Sequence, residues 1–134
     1  SEHCKQNIAK AEKDIRKHSI NPDEAHCVVD CDASAAKMRW VHGKSPCLTR
    51  SRHNGHWLTS KQRRFTKTEM FRLQGMDPSK FQVTVPESEL GHQLGNAMSV
   101  NVIERILLHA FKSANLVDSS TLRDRWANGD AIKK

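Results

Sequence analysis

Residues 99–114 carry an apolar stripe that cannot be left in water. Val102, Ile103, Ile106, Leu107, Ala110, Phe111 and Ala114 recur at helical spacing behind Ser99, a residue type suited to an N-cap. A stripe this wide must bury against another layer. The rest of the chain offers only two other helical stretches and a few strand-like runs, so a surface outside this segment is implied.

Ahead of that helix the patterning is mixed. Residues 2–18 read as a helix with Cys4, Ile8, Ala11 and Ile15 on one face, and Asn21-Pro22 ends it. The apolar run at 26–30 predicts a strand. Cys47-Leu48-Thr49 and Trp57-Leu58-Thr59 predict two more around the turn-prone Asn54-Gly55, giving a small, loop-rich β unit over about 26–62. Thr66 and Glu69 have capping-box spacing, since a hydroxyl and a carboxylate three residues apart each satisfy an amide of the first turn. Gly75 suits a left-handed C-terminal position and Pro78 a stop, so a short helix spans about 67–74. Residues 121–126 predict one more helical turn.

At 134 residues, with 37% hydrophobic and 28% charged side chains, one folded unit of mixed α/β class is expected. No apolar run approaches the roughly 20 residues of a membrane span. The chain opens at Ser1, and its first twenty residues lack the apolar centre of a secretory signal, so a fragment or a processed chain is expected. Four cysteines without a paired framework point to reduced thiols in an intracellular compartment, whether nucleus, nucleoid or organelle.

Charge is unevenly distributed. From Lys37 to Lys67 there are nine Lys or Arg and no Asp or Glu, which accounts for the whole net charge of +7. Such a segment suits a polyanion, phosphates above all. A solvated basic face or an acidic protein partner would look the same by charge alone.

Two blocks carry a family resemblance. Residues 64–76, from Arg64 through Thr66, Glu69, Arg72 and Gly75 to Met76, resemble the ninth motif of DNA (cytosine-5) methyltransferases, R-x-L-T-x-x-E-x-x-R-L-Q-G-F-P. Residues 93–103, beginning Gln93-Leu94-Gly95-Asn96-Ala97, resemble the tenth, Q-x-G-N-[SA]-[VM]. Each string is short, and their order and gap make the pair specific. Ser45-Pro46-Cys47-Leu48-Thr49-Arg50 is similar to the P-x-L-T turn of the recognition region that precedes the ninth motif. The resemblance covers about 44–111 well and 21–43 loosely.

It implies a target-recognition region over 21–63 and a ninth- and tenth-motif segment over 64–114 that completes an S-adenosylmethionine-dependent methyltransferase domain. Residues 1–20, an N-terminal helix, and the tail 115–134 stay unassigned. Double-stranded DNA is the implied partner, met by Thr49, Arg50, Arg52, His53, Asn54 and Arg63; the arginines suit phosphates or guanine edges, and they would equally suit acids of a partner protein. Arg64, Thr66, Glu69, Arg72 and Gly75 are implied to hold the recognition region, with Arg72 presented toward its loops. Gln93, Gly95, Asn96 and Ala97 are expected to form a polar loop near the methionine end of S-adenosylmethionine; alternatively Asn96 only caps the next helix.

The family's catalytic parts are not in this sequence: F-x-G-x-G, P-C-Q, E-N-V and Q-x-R-x-R are all missing. Pro46-Cys47 has the look of the nucleophile, and a thiol beside cations would be credible chemistry. Yet Leu48 follows it where the family has Gln, and it lies only 17 residues before Arg64, so a small buried side chain is the better reading and no catalytic residue is assigned. No metal site is assigned either: Cys27 and Cys31 lack a second pair at zinc spacing, and a strand turns His26 and Cys27 to opposite faces. Three roles remain open: the C-terminal part or small subunit of a methyltransferase, bound through Ile103, Ile106, Leu107 and Phe111 to a catalytic domain that supplies the cofactor site; a derived, non-catalytic subunit of a larger complex; or a stand-alone DNA-binding module.

Overall fold

The computed structural model describes residues 1–118, 120, 123–127 and 129. Helix α1, Glu2–Lys17, starts at Ser1, whose hydroxyl accepts from Cys4 N. Glu2 in its first turn and Arg16 and Lys17 in its last complement the helix dipole. Cys4, Asn7, Ala11 and Ile15 form its buried face. The one polar member is satisfied, because the Asn7 carboxamide donates to the Cys31 and Ala33 carbonyls at 3.0 and 2.8 Å. That pair of bonds also ties α1 to the chain after the first strand.

Four short strands follow: β1, Cys27–Val29; β2, Trp40–His42; β3, Trp57–Leu58; and β4, Arg63–Arg64. They make one antiparallel sheet in the order β2-β1-β3-β4. Val29 sits opposite both Trp40 and Trp57, so the fully buried β1 is central. Three stretches differ from expectation, one of them β4, which the sequence does not predict as a strand. Trp40–His42 pairs as an edge strand although exposed basic residues precede it, and they mask its β pattern. Cys47-Leu48-Thr49, expected as a strand, is irregular, because Leu48 leaves the sheet to enter a second core with Met70, Phe71 and Leu94. The first core joins Cys4 and Ala11 of α1 to Val29 and Cys31, flanked by Trp40 and Trp57.

Helix α2, Lys67–Leu73, has the expected box: Glu69 N donates to the Thr66 hydroxyl at 3.2 Å and Thr66 N to the Glu69 carboxylate at 2.8 Å. Gly75 takes φ +72°, the left-handed turn the sequence implies. Helix α3, Glu87–Asn96, replaces the polar loop expected at 93–97. Its two glycines lower helix propensity and hide it, yet close packing requires them. A Cβ on Gly91 would stand 2.1 Å from the His53 carbonyl oxygen, and one on Gly95 2.4 Å from the Thr49 carbonyl. So α3 lies directly against the backbone of residues 49–53.

Helix α4, Val100–Ser113, buries no residue. Val102, Ile106, Leu107 and Phe111 are 52, 58, 41 and 38% exposed, as its unpartnered stripe implies. Ser99 precedes it without capping; its hydroxyl donates instead to Gln74 Oε1 at 2.8 Å. Of the helical turn expected at 121–126, residues 121 and 122 lie outside the described residues, and 125–127 form a non-helical turn. There Asp124 pairs with Arg105, and Arg125 and the Trp126 indole meet Glu104. No helix among the described residues is long and apolar enough to cross a membrane.

Candidate functional site

The basic segment from the sequence is held in place by three carboxylates. Arg52 clasps Asp30 with Nε and Nη2 at 2.6 and 3.0 Å, and Arg64 clasps Asp32 with two bonds of 2.7 Å. Arg63 meets both oxygens of Glu69 at 2.8 Å, so the capping-box acid serves a second purpose. Bidentate geometry makes these the strong form of ion pair. Arg64 holds the Asp32 carboxyl below its ordinary range, and Arg63 holds Glu69 down to about 2. Arg64 also donates to the Gly55 carbonyl at 2.7 Å and to Cys4 Sγ at 3.3 Å, linking β4 to the turn before β3 and to α1.

Between the first two pairs lies His56, 2% exposed, with Nε2 against the Cys47 carbonyl at 3.3 Å and Nδ1 3.8 Å from Asp30. Burial pushes its pKa down, so it sits there as a neutral ring.

These locks sort the DNA-facing candidates. Thr49, Arg50 and Asn54 are exposed on or beside the short 3-10 turn Arg50–Arg52. Arg52 and Arg63 are half-buried in their ion pairs. The His53 ring packs against His92 of α3, with centroids 4.2 Å apart and planes tilted by 47°, and its carbonyl accepts from Lys67. Among the structural candidates Arg64, Thr66, Glu69 and Gly75 hold the joints described above, while Arg72 is exposed.

Of the positions expected to face the cofactor, Gln93 and Asn96 are exposed at the end of α3. Gly95 is against Thr49, and Ala97 bonds through its backbone to Gln93 and Gln74. Gln74 is the residue that joins the two motif blocks. It is 5% exposed, donates to the Leu94 and Ala97 carbonyls at 2.8 and 3.1 Å, accepts from Ser99, and its carbonyl takes Val100 N at 2.8 Å. Nothing in composition or spacing singles out Gln74, Asp30, Asp32 or Gly91; the R-L-Q-G string was the one available signal, and only for Gln74.

Cys47 is exposed, not buried as expected, and its thiol donates to the Leu48 carbonyl at 3.5 Å. Cys27 and Cys31 lie in different surroundings: Cys27 N bonds Thr59, whereas Cys31 stands with Cys4 and Asp32, their ligand atoms within 4.8 Å. Arg64 supplies a cation to that trio through Asp32 and Cys4, and burial pushes the Cys31 thiol up to about 12.

No curated protein and no solved structure matches the chain. A family model described as C-5 cytosine-specific DNA methylase matches residues 2–112, which takes in α1, the sheet and both motif blocks, and the chain belongs to that family.

Proposed function

We propose that the chain is the C-terminal part or small subunit of a DNA (cytosine-5) methyltransferase, contributing DNA recognition and completing the S-adenosylmethionine domain while the nucleophilic cysteine comes from elsewhere. The observation that carries this reading is the junction of α3: one end of the tenth-motif segment lies against the backbone of the exposed Thr49–Arg50 turn, and the other leads into α4 with its stripe bare. A DNA-facing loop and a helix in need of a neighbour are thus joined through one helix. S-adenosylmethionine would supply the methyl group. Of the residues implied for it, the exposed carboxamides of Gln93 and Asn96 fit a polar contact at its rim, Ala97 fits through backbone alone, and Gly95 is taken up by packing.

Within this chain Arg50, Thr49 and Asn54 meet the duplex, and the Asp30, Asp32 and Glu69 pairs keep the turn that carries them from rearranging. Excluding water from the cofactor side falls to the domain that covers Ile103, Ile106, Leu107 and Phe111. The test is reconstitution. Methyl transfer to duplex DNA should be absent with this chain alone and appear when a domain carrying the glycine-rich loop and the P-C-Q cysteine is added. Asn96→Ala should then weaken S-adenosylmethionine binding by about 1–3 kcal/mol, the usual cost of stranding one side of a polar contact, and Cys47→Ser should leave turnover intact. A chain that joins such domains without restoring transfer is instead a derived structural subunit, and loss of all activity in Cys47→Ser would return the nucleophile to this chain.

A further inference from the structure

A second cationic surface lies away from the recognition turn, between α1 and the edge strand β2. Lys10, Lys13 and Lys17 occupy one side of α1 at i, i+3 and i+7, and Arg39, just ahead of β2, faces them across a groove of about 500 Å3 floored by Met38 and Trp40. Counted along the sequence, α1 carries only a small positive excess, five basic residues against Glu2, Glu12 and Asp14. In three dimensions the signs separate. Glu12 accepts from Gln62, and Asp14, the one carboxylate among the described residues lining the groove, accepts the Trp40 indole N–H at 2.9 Å.

What distinguishes this groove is the clustering of its cations, since the described lysines elsewhere, and Arg50 and Arg72, likewise pair with no carboxylate among the described residues. Arg16, Arg52, Arg63, Arg64, Arg105 and Arg125 each hold a carboxylate within 4 Å. Lys13, Lys17 and Arg39 are exposed and hold none among the described residues. Seven residues of helix at about 1.5 Å rise put Lys10 and Lys17 about 10 Å apart, a length over which duplex DNA presents several phosphates at one charge per about 1.7 Å. Apart from half-buried Met38 and Trp40 the lining is charged, with four cations against one carboxylate.

We infer that the α1–β2 groove binds the phosphate backbone of duplex DNA outside the segment read by the recognition turn, adding affinity without sequence preference. The choice of DNA as the polyanion rests on the function proposed above; the groove itself rests on its cluster of exposed cations.

The experiment compares the full chain with Lys13→Gln/Lys17→Gln/Arg39→Gln, and with a charge-keeping control, Lys13→Arg/Lys17→Arg/Arg39→Lys, by duplex binding over a salt series. Each phosphate that the protein ceases to neutralise takes about 0.9 from the slope of log K against log salt. The neutral variant should therefore have a slope shallower by about two to three units, equally on unrelated sequences, and the control should match the parent. Because the three side chains point into solvent, both variants should keep the parent's thermal midpoint. A neutral variant with the parent's slope overturns the inference, and does so alone if Arg50→Ala weakens binding in the same series. Lost affinity for polyglutamate with DNA binding intact would also overturn it and assign the groove to an acidic protein. A parent chain with no salt-dependent binding removes the DNA-facing reading and this surface with it.

Discussion

Helices α1 and α4 are built on the same amphipathic plan and meet opposite fates. The first is the more polar, yet Ala11 and Ile15 are wholly buried and Cys4 nearly so; the second is the more apolar, yet no residue of it is buried. What differs is the neighbour. Strand β1, buried along its whole length, presents Val29 to α1, with Cys31 just beyond it, while the described residues that reach the middle of α4 are those of the turn at 124–126. Apolar content therefore measures how much a helix needs a partner, and only topology says whether the chain provides one.

The strongest way to break this comparison is to remove the apolar anchor of α1. Ile15→Ala deletes three carbons from a site with no exposure, and large-to-small changes of this kind cost about 2–5 kcal/mol through lost burial and the cavity left behind. Denaturant unfolding should show a loss in that range. A change under about 1 kcal/mol would mean that α1 is held by its polar ties to Cys31 and Ala33 and that the contrast with α4 is one of hydrogen bonding.

A middle-sized effect should come from the joint on which α4 is mounted. Gln74→Ala strands the Leu94 and Ala97 carbonyls and the Ser99 hydroxyl, and one buried polar group left unpaired costs about 1–3 kcal/mol. Hydrogen exchange should rise at Val100 N and along the start of α4 while β1 stays protected. Equal loosening of both regions would show that they unfold as one unit and that the two helices are not independently anchored.

Helices proved more legible than strands, for physical reasons. The capping box, the left-handed Gly75 and the two amphipathic periods are local, and each can be read within a few turns of backbone. The strands are two or three residues long, too short for period-two alternation to develop, and β4 is simply Arg63-Arg64. Helix α3 was hidden because Gly91 and Gly95 answer to a contact with residues 49–53, some forty positions away in sequence. The same distance effect applies at the candidate site. The residue types were visible, and Arg50 and Asn54 are exposed, but Asp30 and Asp32 lie outside the basic segment, so nothing in its composition foretold that Arg52 and Arg64 would be engaged.

The smallest effect on stability should be the sharpest on the comparison. Ile106 is 58% exposed, and replacing an exposed side chain away from caps, pairs and strained backbone changes stability by no more than about 0.5 kcal/mol. Ile106→Ser should thus unfold with the parent, against the several kcal/mol expected at Ile15. Its effect should appear in solution behaviour, because Val102, Ile106, Leu107 and Phe111 line one bare face that favours self-association. Sedimentation should show less association in the serine variant, and Ile106→Asp should abolish docking of a catalytic domain, since an unpaired charge at the centre of an apolar interface is costly. A serine variant destabilised by more than about 1 kcal/mol would mean that α4 folds back to bury its stripe within this chain, and the two helices would then share one fate.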